Sequence, residues 1–249
     1  MVARERGVPA VCIIDLFGGN DIPRARENDY ADALCVLSET VKDTFASAGR
    51  NRDHIHVTGN PAFDSYGDPA ITIEAAQLRR SKRWNDDKVV LWASQIEPSD
   101  MDLSRRVAAM LGEQFAARAV RVVWRPHPSE YMKPEMVPPG VELSTQSDPL
   151  VPLLKAVDVC CVISSTVGLE ACLLGTPLVA LDIPITMETA PYASSGMALG
   201  AYSEAELPGV VEESLAGKRP SGAELPSVGS ASARIADVMK SLVLTVKPS

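Results

Sequence analysis

The sequence contains no apolar run approaching the ~20 residues that a membrane-crossing helix needs. Its first apolar stretch follows Arg4 and Arg6, as in a secretory leader, yet Asp15 interrupts it and no small-residue cleavage pattern follows. That stretch therefore reads as a strand. Positive charge is also in short supply. The net charge of −8 argues against nonspecific binding to nucleic acid or to an anionic membrane, and leaves room for one local basic pocket around a phosphate. The five cysteines (Cys12, Cys35, Cys160, Cys161, Cys172) lack metal-site or disulfide-framework spacing and fall in apolar patterns. They read as small core residues of a protein in a reducing cytoplasm. No internal repeat, low-complexity segment or metal-ligand cluster is visible. With 249 residues, 46% of them hydrophobic, the chain can build one large domain or two modest ones with real cores.

What is present is an alternation of apolar runs and helical patterns. Strands are expected over 9–15, 33–37, 54–58, 88–93, 120–125, 141–144, 159–163 and 178–182, and helices over 39–48, 73–83, 102–118, 149–156, 167–174, 204–215 and 230–244. The stretch 182–200, with Pro184, Pro191 and two small-residue clusters, reads as a loop. This alternation predicts an α/β fold with Rossmann-like parallel sheets and right-handed crossovers. The expected division is a partial N-terminal domain over 1–65, a linker over 66–86 and a second domain over 87–249.

The most informative segment runs from 159 to 183. A buried strand hands over to a helix through Ser164, Ser165 and Thr166, where unpaired backbone N–H groups and a positive helix end suit a phosphate. Gly168 follows inside the helix, and Glu170 lies within its first turns, placed to bond sugar hydroxyls. The plain alternative is an N-capped helix of any α/β protein. A second strand tip carries Arg125-Pro-His127-Pro. The flanking prolines hold His127 out of the sheet, where it can donate to a phosphate oxygen or act as a general acid, and Arg125 can add charge. The alternative is a loop histidine bonded to a carbonyl. Ser94 and Gln95, at the tip of the strand expected to lie centrally, could touch phosphate or base, or form a polar turn. Asp15 ends the first strand and is the best acidic candidate for a base, although strand-end Asp also caps turns. Glu188 and Thr189 lie in the loop after the last strand, a candidate place for a sugar. His54 and His56 alternate on a strand and read as solvated or structural.

The stretch Asp32-Ala-Leu-Cys-Val-Leu-Ser-Glu39, followed by Gly49 and by Ile55-His-Val-Thr-Gly-Asn-Pro-Ala-Phe-Asp64, resembles the end of the first domain in UDP-N-acetylglucosamine 2-epimerases and related GT-B glycosyltransferases. The segment 164–177 is similar to their nucleotide-binding stretch. The pair His127-Pro128 with Ser164-Ser165 is also similar to the HP and SS motifs of bacterial sialyl- and Kdo-transferases. The resemblance implies phosphate binding by Ser164, Ser165, Thr166 and His127, and ribose binding by Glu170. Two departures accompany it. Pro23-Arg24-Ala25-Arg26 lacks the glutamate pair of the epimerases, and the acidic motif of the sialyltransferases is not visible.

The expectation is thus a GT-B-like protein with a shortened N-terminal domain and a complete C-terminal nucleotide-sugar-binding domain. The favoured activity is glycosyl transfer from a UDP- or CMP-linked donor to a glycan or lipid-linked acceptor. The alternatives are a 2-epimerase or sugar-nucleotide hydrolase, and a non-catalytic binding subunit. His127 and Asp15 are the expected catalytic residues. Ser94, Gln95, Arg125, His127, Ser164, Ser165, Thr166, Gly168 and Glu170 are the expected donor contacts. No metal, resident cofactor or nucleic-acid partner is expected. Peripheral membrane association is, as is a homo-oligomer or a partner chain that completes the first domain and covers its open sheet edge.

Overall fold

The computed structural model describes residues 6–130, 132–185 and 190–245. The chain divides into two units, one of Met1–Gly67 with Glu224–Ser249, the other of Asp68–Ala223.

In the smaller unit, strands β1 (Val11–Ile13), β2 (Ala33–Val36) and β3 (Ile55–Val57) form a parallel sheet in that order. The central strand has no polar alternation, and all four of its residues are fully buried, as a parallel strand covered on both faces requires. Helix α1 (Glu39–Ser47) joins β2 to β3. The Ser38 hydroxyl accepts the Val41 N–H at its start, and Val41 and Phe45 are buried along one face. The last helix of the chain, Ala231–Thr245, also belongs to this unit. Asp64 fixes it there: its two carboxylate oxygens accept the N–H groups of Ala231 at 2.7 Å and Ser232 at 2.9 Å. Arg234 adds a bond from Nε to the Thr58 carbonyl at 2.7 Å.

The larger unit opens with helix α2 (Ala70–Ser81) and contains six parallel strands, β4 (Lys88–Ala93), β5 (Val120–Arg125), β6 (Val141–Leu143), β7 (Val159–Val162), β8 (Leu178–Leu181) and β9 (Leu199–Ala201). Their order is β6-β5-β4-β7-β8-β9. The chain winds outward from β4 through β5 and β6, returns to β7 on the other side of β4, and winds outward again. This is the doubly wound order, in which ligands bind beyond the strand ends at the point of reversal, here between β4 and β7. Trp92 and Trp124 stand in register on β4 and β5, and each is at most 1% exposed. Trp92 donates its indole N–H to the Ser104 carbonyl at 3.0 Å. Helix α3 (Leu103–Phe115) lays Leu103, Val107, Leu111 and Phe115, one every four residues, onto the same core.

Three expectations are corrected. The stretch 66–86 is not a linker: α2 packs against the helix α4 (Leu150–Ala156), Trp84 is fully buried, and Arg79 donates to the carbonyls of Ala156 and Asp87. Its Ala/Arg composition concealed this because the arginine spends its charge on docking. The second domain ends before 224, since the Asp64 cap draws the final helix to the first unit. The stretch 182–200 ends in strand β9, which pairs with β8 through residues Leu199, Gly200 and Ala201.

Candidate functional site

Four segments leave the carboxyl ends of the central strands: 94–97 after β4, 126–130 after β5, 163–166 after β7 and 182–183 after β8. With neighbouring strands ~4.8 Å apart, the β5 and β7 tips flank β4 at a separation of about 10 Å, enough to hold a diphosphate between them.

Gln95 occupies the middle. Its Oε1 accepts the Ser164 N–H at 3.1 Å, and its Nε2 lies 3.3 Å from the Ser164 hydroxyl. One carboxamide therefore ties the β4 tip to the β7 tip across the reversal. Ser104 donates its hydroxyl to the Gln95 carbonyl at 3.0 Å, so the bridge rests on the first turn of α3. Sequence reading placed Gln95 and Ser164 at one site, and the structure brings them together.

The next residues continue into helix α5 (Val167–Leu173). The Ser165 carbonyl accepts the Gly168 N–H and the Tyr192 hydroxyl, the latter at 2.7 Å. The same hydroxyl accepts the Leu169 N–H at 3.1 Å. With Tyr192 fully buried, desolvation pushes its hydroxyl well above the usual range and keeps it a neutral bridge. Gly168 is explained by this tyrosine: a Cβ there would stand 2.8 Å from the ring. Gly168, expected as a donor contact, is packed against this ring. The amides of Ser165 and Thr166 make no hydrogen bond among the described residues, and Thr166 is exposed. Glu170 is half-buried in the first turn of α5.

At the β5 tip His127 is exposed, and its Nδ1 accepts the backbone N–H of Ser129 at 3.1 Å. A nitrogen that accepts cannot carry the ring proton, so the proton sits on Nε2, free to donate outward. Arg125 turns away from this tip. Its Nη1 donates to the carbonyls of Thr145 and Asp148 and to the Ser144 hydroxyl, which fastens the loop after β6. Burial lowers its pKa, with Asp148 acting in the opposite sense. Ser94 is also turned inward, 3% exposed, taking the Trp124 indole N–H at 2.8 Å and donating to Glu130 at 2.6 Å. Arg125 and Ser94, expected as ligand contacts, are both bonded internally and hold neighbouring loops. Both side chains are long or polar enough to suggest a ligand, and only the fold shows that internal partners take them.

Glu130 was missed. Its carboxylate also accepts the His127 N–H at 2.6 Å. The signal was available, since a Glu three residues after a turn-forming His-Pro can close that turn. Asp15 lies in the other unit, exposed beyond the end of β1, with its carbonyl accepting the Asn60 amide at 2.8 Å. Glu188 and Thr189 lie outside the described residues. The cysteines give no nucleophile at the site: Cys160 and Cys161 are fully buried with thiols pushed far up by desolvation, and Cys172 is pushed up to about 12. Among the described residues no group of three or more His, Cys, Asp or Glu is placed to hold a metal ion, and no helix is long and apolar enough to cross a membrane.

No protein-family model matches the chain, and no curated protein matches it in sequence. Solved structures do. The UDP-GlcNAc 2-epimerase of Methanocaldococcus jannaschii in complex with UDP-GlcNAc and UDP is 17% identical, with 96% of this chain and 71% of that one covered and a TM-score of 0.67. The Staphylococcus aureus MnaA–UDP structure is 16% identical, with 99% and 72% covered and a TM-score of 0.69. The wall teichoic acid polymerase TagF is 16% identical, with 88% and 60% covered and a TM-score of 0.55. At this identity the likeness establishes the fold. Taken with the doubly wound sheet, it shows that this chain has the GT-B fold, and the chain spans 71% and 72% of the first two of these structures.

Proposed function

We propose that the chain is a nucleotide-sugar-dependent glycosyltransferase of surface polysaccharide or glycoconjugate synthesis, with the donor's phosphates over the β5, β4 and β7 tips. The observation that supports this reading is the presentation, at one switch point, of the Ser165 and Thr166 amides, which make no hydrogen bond among the described residues, and the Nε2–H of His127, whose Nδ1 accepts the Ser129 N–H. In the transfer, the bond from the anomeric carbon to the donor phosphate oxygen breaks and its electron pair stays on that oxygen. The anomeric carbon bonds to an acceptor hydroxyl oxygen, whose proton passes to a base. Donors already aimed at the phosphate stabilise the charge that grows there without reorganising. Glu170 is proposed to hold the ribose hydroxyls, and Asp15 is proposed as the base. The donor is UDP- or CMP-linked, the acceptor a glycan or lipid-linked glycan, and the reading calls for no resident cofactor. Peripheral membrane association and a partner chain belong to the same proposal.

A second reading, a 2-epimerase or sugar-nucleotide hydrolase, is favoured by the likeness to the epimerase over nearly the whole chain. It is disfavoured by the absence of an acidic pair at Pro23–Arg26. Incubation with UDP-N-acetylglucosamine without acceptor separates the two: the donor is expected to stay intact, and free sugar or the 2-epimer would overturn the transferase. Titration with UDP tests the site itself. His127→Ala is expected to weaken binding about tenfold, the scale of one hydrogen bond to a charged group. Unchanged affinity would remove His127 from the site.

A further inference from the structure

Glu130 closes the turn at the β5 tip from both directions. Its backbone N–H donates to the His127 carbonyl at 2.8 Å, and its Oε2 accepts the His127 N–H at 2.6 Å. The same oxygen accepts the Ser94 hydroxyl, which in turn accepts the indole N–H of Trp124. Trp124 is 1% exposed and Ser94 3% exposed, so this chain of bonds anchors the turn in the core between β4 and β5. A turn held this way brings the Ser129 N–H to Nδ1 of His127, which leaves the ring proton on Nε2.

We propose that Glu130 is a positioning residue that holds His127 as an outward Nε2–H donor to an oxygen of the nucleotide's diphosphate. The proposal rests on the nucleotide-binding reading above and adds to it the residue that sets the tautomer and direction of the donor. Glu130 needs an acceptor oxygen for this role rather than a charge, since both side-chain bonds end on one oxygen. A glutamine whose amide oxygen takes that place keeps both bonds. An alanine loses both.

The test compares the wild-type chain with Glu130→Ala, Glu130→Gln, His127→Ala and the Glu130→Ala/His127→Ala double variant. Two quantities are read: the imidazole nitrogen shifts of residue 127 by NMR at mildly alkaline pH, assigned by their loss in His127→Ala, and the affinity for UDP by calorimetry. The wild type and Glu130→Gln are expected to show the Nε2–H tautomer and equal UDP affinity. Glu130→Ala is expected to show a mixture of tautomers and about tenfold weaker binding, and the double variant to bind no more weakly than His127→Ala. If Glu130→Ala does not fold, Glu130→Asp, too short to span both partners, is measured in its place with the same expectation. An unchanged tautomer in Glu130→Ala, or a failure of Glu130→Gln to restore it, overturns the positioning role. A tautomer that shifts as expected while neither Glu130→Ala nor His127→Ala alters UDP affinity overturns the diphosphate assignment and removes His127 from the site, whereas a wild-type chain that binds no UDP overturns the nucleotide-binding reading itself.

Discussion

In the six-stranded sheet the first strand, β4, is paired on both sides, and Val89 through Trp92 are fully buried. In the three-stranded sheet the first strand, β1, is paired on one side only among the described residues, and Ile13 at its end is 45% exposed. Each sheet nevertheless carries a carboxamide that ties two strand tips together. Gln95 joins β4 to β7, which adjoin at a reversal of strand order. Asn60 joins the residues after β1 and β3, which flank β2 in a sheet that winds one way only. A reversal splays the crossovers to opposite faces and opens a crevice between the tips. A sheet that winds one way has no such reversal. Similar local chemistry therefore ties the floor of a switch-point crevice in one unit, where the donor is proposed to bind, and two strand tips without a crevice in the other.

The comparison is broken most strongly by emptying each core. Phe45→Ala in the smaller unit and Leu111→Ala in the larger should cost ~3–5 and ~2–5 kcal/mol respectively. Denaturant unfolding gives the sizes, and hydrogen exchange gives the location: faster exchange is expected in β2 and α1 for the first, and in β4, β5 and α3 for the second. Gly168→Ala should cost ~1–3 kcal/mol, because the new methyl overlaps the Tyr192 ring. It should weaken UDP binding as well, since that ring holds the Ser165 turn. Gly168→Ala with wild-type UDP affinity would separate the turn from the site.

The two carboxamides sharpen the comparison. Gln95→Ala strips the Ser164 N–H of its partner and should cost ~1–3 kcal/mol together with a clear loss of UDP affinity. Asn60→Ala should lower stability without touching UDP affinity. Equal effects on binding would erase the distinction between floor and tie.

The smallest effect is a pH dependence confined to the smaller unit. Backbone bonding from Ser232, then from Ala231, holds the Asp64 carboxyl below its ordinary range. A depressed carboxylate contributes stability above its unfolded pKa and loses it as the pH falls through the folded value. Docking of the last helix should therefore loosen below the ordinary aspartate range, and Asp64→Asn should flatten that dependence in hydrogen exchange of residues 231–245.

Much of this was legible in the chain. The β7 and β8 runs, and β4 from Val89 on, are continuous apolar stretches, as a buried parallel strand requires, β5 is apolar over Val122–Trp124, and the polar residues at the β4 and β7 tips proved to meet. The placement of Gln95, Ser164 and His127 on one sheet edge followed from parallel pairing alone. The inward turn of Ser94 and Arg125 and the packing of Gly168 were not legible, because their partners (Glu130 and Trp124, the loop 144–148, and Tyr192) lie 19 to 36 residues away. No local pattern encodes which of two polar groups at such a distance will be met. The extent of the first unit was hidden for the same reason, since the bond that sets it joins Asp64 to a helix 167 residues later.

Composition and periodicity by themselves determined the α/β class, the parallel sheets and the strand ends on which chemistry could be built. These depend on burial and on backbone geometry, which act over a few residues. Tertiary structure alone decided which polar side chains stay open at the strand tips and which are spent inside, and drew the final helix to the first unit. A hydrogen bond forms with whichever partner folding brings within about 3 Å, and that partner is chosen by the packing of the whole chain.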